Sequence, residues 1–227
     1  MIYEQTASNR LYLSGEIVSE PVFSHEIYGE SFYEMSLSVA RLSQQCDILP
    51  VTVSERLIEG NSLRPGMRIA LSGQFRSYNK IESGKSRLML SVFAWEVLPV
   101  DEHKNPNSIT LMGYICKPPV YRTTPFAREI ADLLLAVNRA YNKSDYIPCI
   151  AWGRNARAVR GTKVGEKITV EGRIQSREYQ KRREDGELET KVAYEVSVSK
   201  ITLTGESAAA EDGEQSDPAP EMMNEKG

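Results

Sequence analysis

The segment Asn107-Ser-Ile-Thr-Leu-Met-Gly-Tyr-Ile115 decides the fold, because the chain carries another version of it, Asn9-Arg-Leu-Tyr-Leu-Ser-Gly-Glu-Ile17. A shift of 98 residues places the asparagine, one leucine, the glycine and the final isoleucine of the two segments on each other. The same shift aligns further pairs, among them Pro21 with Pro119, Leu37 with Leu135, Asp47 with Asp145 and Pro50 with Pro148. Such self-similarity predicts two copies of one domain.

The bounds of the two copies follow from the positions at which the shift between them changes. The shift becomes 99 at Gly165 and about 106 near Val196, so the second copy has a longer loop between Tyr179 and Val192. A charged segment, 101–106, separates the copies. We therefore expect a first domain over 1–104 and a second over 105–205. The Ala-, Glu- and Pro-rich remainder, 206–227, has the composition of a disordered acidic tail.

The hydrophobic pattern of the second copy is typical of short strands. Apolar residues alternate over 109–115, form a longer run over 130–137 that only Asp132 interrupts, and recur in 146–152, 167–176 and 192–203. Residues 154–160 contain two alanines and predict a short helix, and Asp185-Gly186 predicts a hairpin turn. The first copy has the same order, with Ser54 as the expected N-cap of its helix. Five strands with a helix between the third and fourth predict an all-β chain of two tandem five-stranded OB-fold barrels.

The net charge of −3 conceals a strong asymmetry. The first 106 residues carry a net charge of −3, residues 107–205 carry 17 basic and 11 acidic side chains for a net charge of +6, and the last 22 residues carry −6. A basic second copy indicates a polyanionic partner. No apolar run approaches the length of a membrane span, and the N-terminus lacks the pattern of a signal peptide, so we expect a cytoplasmic, nucleoid-associated protein.

Catalytic and metal-binding classes find little support in the residues. The cysteines, Cys46, Cys116 and Cys149, are far apart, and His25 and His103 are the only histidines. This pattern argues against a disulfide framework or a zinc site. Because phosphate-binding loop and nucleophile motifs are also missing, we expect a non-catalytic protein with no metal and no cofactor.

The second copy interleaves aromatic and cationic residues, as proteins that bind single strands do. Periodicity alone leaves Trp152 open to two interpretations, core filling or an exposed platform. Tyr146 lies six positions earlier and shares a strand face with it. The run 181–183 is either a solvated hairpin tip or a contact for phosphates. The candidate phosphate-binding residues are Arg122, Arg139, Lys143, Arg154, Arg173, Arg177, Lys181, Arg182 and Arg183.

Several motifs of the second copy resemble bacterial single-stranded DNA-binding proteins. They are the segment 107–115, Leu135-Ala-Val-Asn-Arg-Ala-Tyr141, Ser144-Asp-Tyr-Ile-Pro-Cys-Ile-Ala-Trp-Gly153 and Val170-Glu-Gly-Arg-Ile-Gln-Ser-Arg177. The resemblance covers about 107–203. It implies binding and protection of single-stranded DNA in replication, recombination or repair. It also places Tyr141, Tyr146, Trp152 and Tyr179 where that family has its base-stacking aromatics.

The first copy resembles the same family only in its Gly, Pro and apolar skeleton. Its equivalents of Tyr141, Tyr146 and Trp152 are Ser43, Ile48 and Ser54. We expect it to build an oligomer or to bind a protein and to add little DNA affinity. The family resemblance implies a homodimer with four barrels. It also implies recruitment of replication or repair proteins through the acidic tail, although the family's usual apolar-aromatic tip is missing here.

One alternative function stays open on the residues alone. The divergent first copy and the altered tail tip would also suit an OB-fold interaction adaptor of the primosome-accessory type, in which DNA binding is incidental. The aromatic set of the second copy favours the DNA binder.

Overall fold

The computed structural model describes residues 8–82, 84–182 and 186–207. The N-terminal half contains β1 (Asn9–Ile17), β2 (Val22–Ile27), β3 (Glu30–Ala40), β4 (Cys46–Ser54), α1 (Glu55–Asn61), β5 (Arg68–Glu82) and β6 (Lys85–Leu98). The C-terminal half contains β7 (Asn107–Ile115), β8 (Val120–Thr123), β9 (Glu129–Arg139), β10 (Lys143–Trp152), α2 (Arg154–Val159), β11 (Glu166–Arg182) and β12 (Leu188–Ser207). Beyond Ser207 the predicted acidic tail lies outside the described residues, and so does Arg183.

Each half closes five strands into a barrel. In the first, β1 pairs with β3 and β5, β3 with β4, β5 with β6, and β4 runs parallel to β6. In the second, β7, β9, β10, β12 and β11 repeat the same connections. This circuit, with a helix between the third and fourth barrel strands, is that of an OB-fold. The predicted fold class is therefore confirmed.

Each half has one strand more than the sequence pattern predicts. β2 pairs with the start of β3, and β8 pairs with the start of β9. Both lie outside the barrel circuit and extend one edge of the sheet. Every residue of β2 is exposed, and β8 has only four residues, so neither gives the alternating burial pattern by which strands are recognised in a sequence.

The two barrels are joined by antiparallel pairing of their first strands. Leu11 lies directly opposite Ile109, its equivalent in the repeat, while Asn9 lies opposite Leu111 and Leu13 opposite Asn107. The two barrels are thus related by an approximate two-fold axis that passes through the pair Leu11–Ile109. All described strands form one continuous twelve-stranded sheet as a result.

The repeated residues of the first strands have structural reasons. A Cβ on Gly15 would lie 2.2 Å from the carbonyl oxygen of Ser38, and one on Gly113 would lie 2.5 Å from that of Ala136. Glycine alone therefore lets each first strand meet the second barrel strand. The side-chain amide of Asn9 exchanges two hydrogen bonds with the backbone of Phe75, and that of Asn107 does the same with Ile174.

The helices and the core complete the fold. Ser54 is the N-cap residue of α1, as predicted, but its side chain makes no capping hydrogen bond. Inward-facing side chains, such as Leu37 and Val92 in the first barrel and Leu135 and Val196 in the second, are fully buried. Among the described residues, no helix is long and apolar enough to cross a membrane.

Candidate nucleic-acid interface

The outer surface of the second barrel is a single continuous strand face. Residues opposite each other on paired strands project from the same face. Strand register therefore aligns one row across β8, β9, β10, β12 and β11, namely Val120, Asp132, Ile150, Ser197 and Arg173. The rows on either side of it carry the predicted aromatic residues.

Trp152 lies on this face and is 39% exposed. It pairs with Ile130, which in turn pairs with Arg122 on β8. The guanidinium of Arg122 is at the surface and donates to Asp132 at 3.0 Å. Trp152 and Arg122 therefore flank Ile130 on one face, which thus carries an aromatic ring and a cation, the two kinds of group that hold single strands.

Tyr146 lies on the same face, opposite Ala136, toward the other end of β10. Tyr141 is in the adjoining turn, is 93% exposed, and has a backbone φ of 63°. A positive φ is unfavourable for a tyrosine. The turn therefore holds a large aromatic ring in solvent at a conformational cost, which points to a role outside folding.

The predicted basic arm is a two-stranded ribbon formed by the ends of β11 and β12. The predicted fourth and fifth strands are longer than expected because pairing continues to Arg182 and Leu188. Arg173, Gln175, Arg177, Tyr179 and Lys181 alternate along the outer face, where Tyr179 pairs with Lys191. The guanidinium of Arg177 lies 6.0 Å from the ring centre of Tyr179. Arg182 is exposed but falls on the opposite face of the ribbon.

Two of the residues that were predicted to contact phosphate lie close to carboxylates at the junction between the barrels. Arg139 continues the inward row of β9 and lies 3.4 Å from the carboxylate of Asp145. Arg173 lies on the outer face, but one of its nitrogens is 3.6 Å from Asp47 of the first barrel. Lys143 pairs with Arg139 and shares its side of the sheet, and it remains exposed. Arg154 is exposed at the start of α2.

The sequence analysis did not predict a cluster of two arginines, Glu129 and Tyr121, which lies at the end of the second barrel near α2. Arg157 forms an ion pair with Glu129, and the hydroxyl of Tyr121 donates to the same carboxylate. Arg160 lies 4.8 Å from the ring centre of Tyr121. The hydrogen bond from Tyr121 and the charge of Arg157 hold the pKa of Glu129 below its ordinary value. Of the three arginines in the segment 154–160, only Arg154 was predicted to contact phosphate, and the regular spacing of all three is the signal that points to the cluster.

The equivalent face of the first barrel has different chemistry. Its corresponding row is Val22, Glu34, Thr52, Phe93 and Gln74. Ser54 stands in the place of Trp152, and the half-exposed Ile48 in that of Tyr146. Phe32 is buried between His25 and Phe93, with ring centres 5.2 and 5.6 Å apart. This face of the first barrel thus has no counterpart of Trp152 or Tyr146 at the equivalent positions, although the guanidinium of Arg76 lies 3.6 Å from the ring centre of Phe93.

Comparisons with known proteins agree with this division. Residues 106–204 match the model of the Single-strand binding protein family. Single-stranded DNA-binding protein 1 of Staphylococcus aureus is 37% identical over 81 residues, and Single-stranded DNA-binding protein A of Bacillus subtilis is 36% identical over 81 residues. These alignments cover 33% of this chain and 48% and 47% of the two relatives. The chain thus spans about half the length of the curated relatives it matches.

The fold of both barrels together also has a solved counterpart. A deletion mutant of the single-stranded DNA binding protein from Thermus aquaticus is similar with a TM-score of 0.66 and 20% sequence identity, over 90% of this chain and 98% of that one. At this identity the likeness shows the fold alone. The chain is therefore a tandem OB-fold protein. Its second barrel is similar to the single-strand binding protein family over residues 106–204.

Proposed function

We propose that this protein binds and protects single-stranded DNA in replication, recombination or repair, with the outer face of the second barrel as the main contact. The observation that carries the proposal is the shared face of Trp152 and Tyr146, bordered by Arg122 and by the ribbon that holds Tyr179. Bases stack on the aromatic rings, and the cations contact the phosphates. The relatives of the second barrel are named for binding single-stranded DNA.

The geometry favours a binder over an adaptor. Duplex DNA hides its base faces in the stack, so exposed rings on an open strand face suit unpaired bases. In this proposal Tyr141, Tyr146, Trp152 and Tyr179 stack on bases. The phosphate contacts run along the ribbon through Arg177 and Lys181, and along the outer face through Arg122 and Arg154, while Arg173 faces Asp47 of the first barrel. Arg139 instead supports the junction between the barrels, where it faces Asp145.

Assembly of two copies, giving four barrels, is part of the proposal. It rests on the family resemblance of the second barrel. The mass of the protein in solution, measured by light scattering, tests it directly: twice the chain mass supports a homodimer, and the chain mass alone excludes one.

The binding test uses the full chain and fluorescence anisotropy of a labelled oligothymidine. We expect tight binding to the single strand and weak binding to a duplex of equal length. Affinity should fall steeply as salt rises, because phosphate contacts release counterions. Trp152→Ala should weaken binding by about 5- to 150-fold, the equivalent of roughly 1–3 kcal/mol per stacked base. Trp95→Ala, in the first barrel, is the matched control. Equal affinity for duplex and single strand would contradict the proposal.

A further inference from the structure

The backbone of Tyr146 is held by the other barrel. Its N–H donates a hydrogen bond of 2.7 Å to the hydroxyl of Ser77 on β5. The N–H of Ser77 in turn donates to the carboxylate of Asp145 at 2.9 Å. Ser77 and Asp145 are both buried, so this reciprocal pair of bonds is shielded from water.

The strand that carries Tyr146 needs this support. Within the described part of the chain, β10 pairs with β12 only at Cys149 and Ile150, so toward Tyr146 that edge of β10 is not paired with a strand of its own barrel. A buried N–H without an acceptor is costly, and Ser77 supplies the acceptor. The contact therefore fixes β10 at the position from which the Tyr146 ring leaves the sheet.

The repeat itself shows that this contact is specific to Tyr146. By the shifts of 98 and 99 residues, Ser176 and Ile48 are the counterparts of Ser77 and Tyr146. The hydroxyl of Ser176 donates to Asp47 at 2.9 Å, whereas that of Ser77 accepts from the backbone of Tyr146. The two junctions thus share a serine and an aspartate but use the hydroxyl differently.

We infer that Ser77 is a positioning residue for nucleic-acid binding: the first barrel holds Tyr146 in place for stacking while remaining off the strand itself. This inference rests on the proposed function. It gives the first barrel a role in affinity, in contrast to the small contribution expected from its sequence. That role requires neither aromatic residues nor positive charge on its own outer face.

A double-mutant cycle on the full chain tests the inference, with oligothymidine as the probe. Ser77→Ala should weaken binding by about 3- to 10-fold, the range of one hydrogen bond. In a Tyr146→Ala background the same substitution should change affinity by less than about 2-fold, because the ring it positions is gone. Ser77→Thr, which keeps the hydroxyl, should restore most of the affinity.

Controls separate positioning from general loss of stability. Ser91→Ala removes another buried hydroxyl of the first barrel, one that bonds to Thr52 within that barrel, and should leave affinity unchanged. Thermal unfolding confirms that each variant is folded. If Ser77→Ala does not fold, Ser77→Cys keeps the side-chain volume with a weaker acceptor and enters the same cycle.

The outcomes of the cycle are distinct. If Tyr146→Ala binds as tightly as the parent protein, stacking by Tyr146 fails and the inference fails with it. If Tyr146→Ala weakens binding but Ser77→Ala, or its Cys substitute, does not, the proposed function stands and the positioning role is overturned. Additive effects of the two substitutions would also overturn it, since Ser77 would then act independently of Tyr146.

Discussion

Asp47 and Asp145 occupy equivalent positions in the two repeats, yet their surroundings shift their pKa values in opposite directions. Burial alone would raise the pKa of Asp47, but hydrogen bonds from Arg41 and from the backbone and hydroxyl of Ser176 outweigh it and hold the pKa below its ordinary value. Burial raises the pKa of Asp145, and the N–H of Ser77 and the charge of Arg139 offset it only in part. Each carboxylate joins its own barrel to the fourth barrel strand of the other.

The first prediction compares Asp47→Asn with Asp145→Asn. Asp47→Asn should lower the free energy of unfolding at pH 7 by roughly 1.5–3 kcal/mol, because it weakens charged hydrogen bonds. Asp145→Asn should lower the free energy of unfolding by less than this, or raise it. The buried carboxylate of Asp145 is disfavoured in its ionised form, and the amide oxygen of an asparagine can still accept the hydrogen bond from the N–H of Ser77. Urea unfolding of the two variants, with the parent protein alongside, measures both. A greater loss for Asp145→Asn would contradict this account of the junctions.

The same pair predicts how stability depends on pH. A depressed pKa stabilises the fold above the unfolded-state value near 3.9 and loses that contribution as pH falls through the folded value. The difference in free energy of unfolding between the parent protein and Asp47→Asn should therefore become smaller in acid. A raised pKa acts in the opposite sense: the cost of ionised Asp145 is present at neutral pH and disappears as pH falls toward 3.9. Any gain in stability from Asp145→Asn should thus become smaller as the pH falls from 7 toward 3.9. Thermal unfolding between pH 7 and about pH 2 checks both trends, because the contribution of Asp47 is lost only below its unfolded pKa.

A second prediction concerns the strained turn at Tyr141. Tyr141→Asn should stabilise the protein by up to about 1 kcal/mol, because asparagine tolerates a positive φ better than tyrosine. It should also weaken binding of oligothymidine by about 5-fold or more, since a stacking ring is lost. Opposite changes in melting temperature and affinity are the expected signature. An unchanged affinity would place Tyr141 outside the interface.

The third prediction concerns the ribbon formed by β11 and β12. Arg177→Gln with Lys181→Gln should reduce the slope of log K against log salt by roughly 0.7 for each phosphate contact removed. Arg64→Gln, an exposed substitution in the first barrel, changes net charge in the same sense and should leave the slope nearly unaltered. A slope that responds to both changes alike would show that net charge, rather than the ribbon, governs the salt dependence.

A fourth prediction follows from the three thiols. Cys46 is exposed, Cys149 is buried, and burial raises the pKa of Cys116 to about 11. The thiolate is the reactive form of cysteine. The exposed Cys46 should therefore react rapidly with a disulfide reagent in the folded protein, and all three cysteines should react after unfolding. Mass spectrometry of the labelled peptides identifies the fast site. Rapid labelling of Cys149 in the folded protein would mean that the barrel opens readily.

The repeat made most of the fold predictable from sequence. Alternating apolar positions and Gly113 determine the barrel strands, because each must fill an interior or allow a close approach of backbone. The exposed strand β2 lacks such a pattern and was missed for that reason. The placement of Trp152 and Tyr146 on one face also followed from periodicity, since both belong to one strand of period two.

The contacts between the barrels were beyond the reach of sequence periodicity. Arg139 has residues of the predicted interface on both sides in the sequence. Its side chain nevertheless forms an ion pair with Asp145 at the junction between the barrels. The bond from Tyr146 to Ser77 joins residues 69 positions apart and depends on the pairing of β1 with β7. Long-range contacts of this kind arise from the docking of two folded barrels, which no local pattern encodes.

The central claim is that a single strand lies on the outer face of the second barrel, against Trp152. Trp95→Phe leaves Trp152 as the sole tryptophan of the full chain, so its fluorescence reports on that face alone. Titration with oligothymidine should quench this fluorescence strongly and saturably, with little response to duplex DNA, and high salt should reverse it. Binding detected by anisotropy without any change in Trp152 fluorescence would place the strand elsewhere and contradict the account.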